Sequence, residues 1–97
     1  MARLIWTREA TQSLREIHEY IAVNRPATAM RTIESIINKV ESLAASPEHG
    51  QRLSMAGRKD LRLLVYGHFR LPYLLDDADE TVTILGVFHG LIFLPLK

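Results

Sequence analysis

The hydrophobic pattern of the chain changes period twice. Over residues 2–6 it alternates, with Leu4 and Trp6 on one side and Arg3 and Ile5 on the other, which predicts a short strand. From residue 7 the spacing becomes helical. Ala10, Leu14, Ile17 and Ile21 recur three and four apart, so residues 7–23 form an amphipathic helix. Arg8, Arg15, Glu16 and Glu19 lie off that stripe, as a solvated face should. Thr7 has the chemistry of an N-cap, and Glu9 suits the positive end of the helix. Asn24-Arg25-Pro26 interrupts the pattern. Asn24 closes the first helix or caps the second, and Pro26 fits a first helical turn. A second stripe, Ala29, Ile33, Ile36, Ile37, Val40, Leu43 and Ala44, runs on to Ser46-Pro47, because the residue before proline avoids the helical region. The short connection makes the two helices an antiparallel hairpin.

Alternation then returns. Glu48-His49-Gly50 is a turn, residues 51–55 a short irregular strand and Ala56-Gly57 a second turn. Residues 60–90 read as a three-stranded meander. Leu61, Leu63 and Val65 alternate with Arg62, and Gly67-His68 supplies a turn. Residues 69–75 run back to an acidic tip, Asp76, Asp77, Asp79 and Glu80. Residues 81–88 return as a strand apolar on both faces, which predicts a central place in the sheet. Pro72 cannot donate to a ladder. It belongs at an edge or a bulge, or the register here is displaced by one residue. The expected fold class is α+β: an N-terminal strand, then an antiparallel helix hairpin packed on one face of a small, mostly antiparallel sheet.

Composition narrows the function classes. A length of 97 residues predicts one domain with one core. The formal charge of +1 argues against a general polyanion binder, so direct nucleic-acid binding by this chain alone is not expected. There is no cysteine, which excludes disulfides, thiol catalysis and cysteine zinc sites and fits a reducing compartment. No stretch approaches the roughly 20 apolar residues of a membrane span, and the N-terminal apolar run is too short for a signal peptide. A soluble, cytoplasmic protein without a membrane partner is expected.

Candidate chemistry concentrates in the second half. Arg52, Arg58, Lys59, Arg62 and Arg70 fall in one region with His49 and His68. Such a cluster meets nucleic acid or an acidic protein surface, or simply solvates sheet edges against aggregation. The acidic tip lacks the glycine and distal glutamate of a calcium loop, and reads as a solvated turn. His89 could serve as an acid or base near neutral pH. No carboxylate is obviously placed to orient it, and a histidine holding the turn at Gly90 is the better reading. His18 lies beside the first helical stripe. No histidine pair has the sequence spacing of metal ligands, and neither a metal nor a cofactor is expected. Trp6 and Tyr20 are assigned to core packing. The serines lack a nucleophile elbow, and there is no glycine-rich phosphate loop.

Several of these segments resemble one family. The strand opening Lys59-Asp60-Leu61, then Tyr66-Gly67, a return strand with Tyr73, an acidic turn, and Val82-Thr83-Ile84-Leu85-x-Val87-x-His89-Gly90 are similar to the ParE branch of the RelE/ParE toxin superfamily. Upstream, Trp6-Thr7-x-x-Ala10, Leu14-x-x-Ile17-x-x-Tyr20-Ile21-Ala22, Ala29 and Leu43-x-x-x-Pro47-x-x-Gly50 fit as well. The resemblance spans residues 4–90. Order and spacing carry it more than any single motif. Relatives often have Arg before the strand tyrosine, where this chain has Pro72, and His-Gly-Arg at the end, where Leu91 follows Gly90.

The resemblance implies a toxin of a type II toxin–antitoxin system, of the kind associated with plasmid stabilisation. It implies inhibition of DNA gyrase by binding rather than catalysis, and a ParD-like antitoxin in a hetero-oligomer. Arg52, Arg58, Lys59, Arg62, Arg70, His89 and Phe93 are the expected target contacts. Leu14, His18, Ile21, Ile33, Ile37 and Leu91 are the expected antitoxin contacts. Two alternatives stay open. One is a RelE-like ribosome-dependent endoribonuclease, which requires Arg58, Lys59, Arg62 and His89 to converge on one concave surface. The other is a non-toxic, antitoxin-binding remnant, which the missing Arg and the apolar residues 91–96 make reasonable. Those six residues complete the core or meet a partner.

Overall fold

The computed structural model describes residues 1–90. The expectations for Leu91, Phe93 and the apolar residues 91–96 lie outside the described residues. The chain forms β1 (Arg3–Trp6), α1 (Arg8–Ala22), α2 (Pro26–Glu41), a 3₁₀ turn (Ser42–Ala44), β2 (Gln51–Ala56), β3 (Lys59–Tyr66), β4 (Phe69–Asp76), β5 (Thr81–Ile84) and β6 (Phe88–His89). The sheet order is β1-β5-β4-β3-β2, with β6 also paired to β4. β1 runs parallel to β5, and the remaining pairs are antiparallel. The helix hairpin covers one face, so the α+β layer expected from the pattern is the observed fold.

The helix ends follow local chemistry. Thr7 caps α1, its hydroxyl oxygen accepting from the Ala10 N–H at 3.0 Å. The same hydroxyl donates to the Ile84 carbonyl at 2.8 Å, which ties the helix start to β5. Pro26 opens α2, where its missing N–H costs nothing. Asn24 takes neither cap. Val23 closes α1, and Arg25 precedes α2 without a side-chain cap bond. The second helix stops at Glu41 and tightens into the 3₁₀ turn instead of running unbroken to Ser46.

Ile36, Val40 and Leu43 from the second helix and its turn meet Leu64, Leu71, Tyr73, Leu75, Val82 and Ile84 from the sheet, with Ala10 closing α1 against them. Trp6 packs on this core. Tyr20 does not. It is 84% exposed, contrary to its assignment as core, because it projects from α1 on the side away from Ala10 and Leu14.

The alternation along β3 buries its more polar side. Asp60, Arg62 and Leu64 are buried under the helices. Leu61, Leu63 and Val65 lie on the open face, joined there by Ile5 and Leu74. Both faces of β3 carry apolar residues, so alternation alone could not choose between them.

The expected strand over residues 81–88 is two strands with a break. β5 does hold an interior position, between β1 and β4. Tyr73 faces Ile84, but Arg70 faces Phe88, so one extra residue separates β5 from β6. Pro72 sits opposite that break. Its carbonyl accepts from the Leu85 N–H at 2.9 Å, and its absent donor falls where the ladder is already interrupted. Pro72 therefore sits opposite a bulge in the neighbouring β5–β6 segment, while β4 itself, expected to be bulged or shifted, keeps an unbroken register with β3.

Candidate functional site

Two features stand out: a buried polar clamp and an apolar groove. The clamp begins with strand geometry. Asp60 and Arg62 are two apart on β3 and so share a face. Asp60 Oδ2 accepts from Arg62 Nε and Nη2, both at 3.2 Å, and Arg52 Nη2 approaches it at 3.5 Å. Arg62 Nη1 also donates to the Glu48 and Gly50 carbonyls, at 3.0 and 2.7 Å. Tyr73, opposite Arg62 on β4, donates its hydroxyl to the Pro47 carbonyl at 2.7 Å and accepts from the Gly50 N–H at 2.9 Å. Together these side chains hold residues 47–50 against the sheet. Burial pushes the Tyr73 hydroxyl pKa up, while the Gly50 hydrogen bond and the Arg62 charge partly oppose it.

The groove, about 570 Å³, lies between the C-terminal half of α1 and the β4–β6 end of the sheet. Ile17, Tyr20 and Ile21 line one side, and Phe69, Val87 and Phe88 the other. Glu16 and His89 stand at it as polar groups. The surface is mostly apolar and aromatic, with few charges.

The expected antitoxin contacts divide accordingly. Ile21 lines the groove. Leu14 is half-buried against the core, and His18, Ile33 and Ile37 are half-buried along the hairpin. Tyr20 was not among them, and it presents the largest exposed apolar surface of the groove wall. Its place in the helical pattern, just before Ile21 and off the Ala10–Leu14 line, was the available signal.

The expected target contacts do not come together. Arg62 is only 9% exposed and committed to the clamp, so it is a structural residue rather than a surface contact. Arg52 leans on Asp60 from the β2 edge. Arg58 is exposed at the β2–β3 turn. Lys59 faces Asp76 at one end of β4, and His89 faces Phe69 at the other. Those positions are seven residues apart on β4, roughly 23 Å along a strand. Arg70 is half-buried and donates toward the Gly67 carbonyl at 3.4 Å. The converging surface required by the nuclease alternative is therefore not formed by Arg58, Lys59, Arg62 and His89. Among the described residues, no group of three or more His, Asp or Glu side chains is placed to share a metal ion, and no helix is long and apolar enough to cross a membrane.

A helix hairpin over one face of a mixed sheet with this strand order defines the RelE/ParE-like class. Solved structures agree. The chromosomal ParDE system from P. aeruginosa matches at a TM-score of 0.75 and 23% identity, covering 93% of this chain and 97% of that one. The RelBE2 complex from Mycobacterium tuberculosis matches at 0.65 and 23%, covering 91% and 96%. The archaeal RelE–RelB complex from Pyrococcus horikoshii matches at 0.63 and 17%, covering 95% and 98%. No curated protein sequence matches significantly. The model of the ParE toxin of the type II toxin–antitoxin system parDE matches residues 4–91, and the chain belongs to that family.

Proposed function

We propose that this chain is the toxin of a ParDE-type pair, that it acts by binding DNA gyrase rather than by cutting RNA, and that a ParD-like antitoxin neutralises it. The groove between α1 and β6 is the observation that carries the antitoxin half. An amphipathic helix laid along Ile17, Tyr20 and Ile21 would bury their apolar surface against Phe69 and Val87. A flexible antitoxin segment that orders on binding fits this chemistry. The solved neighbours include toxin–antitoxin complexes, which supports a partner of this kind.

The binding half is supported by what the basic residues do. Arg62 is locked in the fold, and Lys59 and His89 stand at opposite ends of β4. A ribonuclease site needs its cations within reach of one phosphate. A surface that only docks does not. Arg58 and Lys59 at the turn of the β2–β3 hairpin, with Arg52 further along its β2 edge opposite Arg62, are the contacts proposed for the target.

Expression of the chain alone, and together with a ParD-like antitoxin, tests the pairing. Growth arrest relieved by co-expression, and restored when Ile21 is changed to Asp in the antitoxin-protected strain, is the expected result. Unimpaired growth with folded, soluble chain contradicts the toxin reading and favours a non-toxic antitoxin-binding protein.

A further inference from the structure

The fold brings together two histidines that sequence spacing keeps 21 residues apart. His68 lies in the β3–β4 turn and His89 on β6, and both are exposed. Their ring centres are 6.0 Å apart, with the planes tilted by 39°. The backbone fixes this approach. Phe69 pairs with His89, and the Gly90 N–H donates to the His68 carbonyl. Gly67 and Gly90 both have φ near +60°, which lets each chain turn sharply beside its histidine. The Phe69 ring meets the His89 ring edge-on at 5.3 Å. Neither imidazole has a hydrogen-bond partner among the described residues.

We propose that His68 and His89 form a two-imidazole site for a divalent transition-metal ion. With metal–nitrogen bonds of about 2.1 Å and each ring centre about 1.2 Å behind its nitrogen, two ligating imidazoles have centres about 5.4 Å apart at a tetrahedral angle and about 6.0 Å at roughly 130°. The observed separation therefore needs side-chain rotation only. Imidazole nitrogen selects borderline ions, and the order of affinity is Cu²⁺ above Ni²⁺ and Zn²⁺. Water completes the coordination, since no third side-chain ligand is placed there among the described residues. Binding is therefore reversible and competes with protons. The bound ion cross-links the β3–β4 turn to β6, next to the groove that His89 also lines.

The test is a Zn²⁺ titration of the untagged full-length chain near neutral pH, followed by the imidazole resonances of its four histidines. One saturable ion per chain is expected, with changes confined to His68 and His89 and reversed by a chelator. His68→Asn and His89→Asn should each weaken binding at least about tenfold, while His49→Asn leaves it unchanged. The melting temperature should rise with Zn²⁺ in the parent and not in either variant. Absence of saturable binding overturns the proposal. So do changes spread over all four histidines, or an affinity that survives both substitutions.

Discussion

Gly50 and Tyr73 are held in mutual contact. The Gly50 N–H donates to the Tyr73 hydroxyl oxygen at 2.9 Å, and a Cβ placed on Gly50 would lie 2.7 Å from Tyr73 Cε1. The same Cβ would stand 2.9 Å from the Leu63 carbonyl, which cannot swing aside. The absence of a side chain at residue 50 therefore lets the segment after the second helix close on the sheet.

Gly50→Ala should destabilise the fold by about 1–3 kcal/mol through overpacking. The cost should persist in a Tyr73→Phe background, because the clash is with the ring and a backbone carbonyl as well as the hydroxyl. Urea denaturation of the four members of that cycle checks this.

Tyr73→Phe alone removes the partner of a buried N–H and of the Pro47 carbonyl, and should cost about 1–3 kcal/mol. The change also alters the alkaline limb of stability. The folded pKa of Tyr73 is raised, so the folded state holds the proton more tightly than the unfolded chain does. Its stabilising contribution is complete below the unfolded pKa of about 10 and is lost as pH rises through the folded value. Denaturation midpoints between about pH 9 and 11 should fall more steeply in the parent than in Tyr73→Phe.

Arg62→Met leaves the buried Asp60 carboxylate facing only Arg52 at 3.5 Å, and should cost about 3–5 kcal/mol. Asp60→Leu combined with Arg62→Met should cost less than the sum of the two single changes, since no unpaired buried charge remains. Arg58→Ala, at an exposed turn, should stay within about 0.5 kcal/mol of the parent. Any loss of activity in Arg62→Met should therefore follow loss of folded protein, measurable by circular dichroism.

Tyr20→Ala should leave stability within about 0.5 kcal/mol, because the side chain is 84% exposed. On the proposed function it should weaken antitoxin binding by about tenfold or more, as expected for an aromatic anchor in an interface. Calorimetry with the ParD-like partner separates the two effects.

Much of the fold was legible because local chemistry and global pattern agree. Thr7 caps where the period changes, Pro26 starts the second helix, and Pro72 marks a break in the ladder. The phase of β3 was not legible from apolar spacing, since Leu61, Leu63 and Val65 on the open face are more apolar than the buried Asp60, Arg62 and Leu64. The clue was polar: Asp60 and Arg62 share a face and satisfy each other, so they can be buried together. Tyr20 misled because a large aromatic beside an apolar stripe resembles core, yet the core already closes at Ala10 and Leu14. The groove and the His68–His89 approach were invisible for a different reason. Both depend on β6 folding back beside the start of β4, which only the pairing register reveals.

The most direct measurement mixes the chain, freed from any antitoxin, with purified gyrase and supercoiled plasmid, and in parallel with translating ribosomes. Binding without catalysis predicts linear, gyrase-linked DNA in the first reaction and intact mRNA in the second. Cleaved mRNA in the ribosomal A site, with gyrase unaffected, would contradict it.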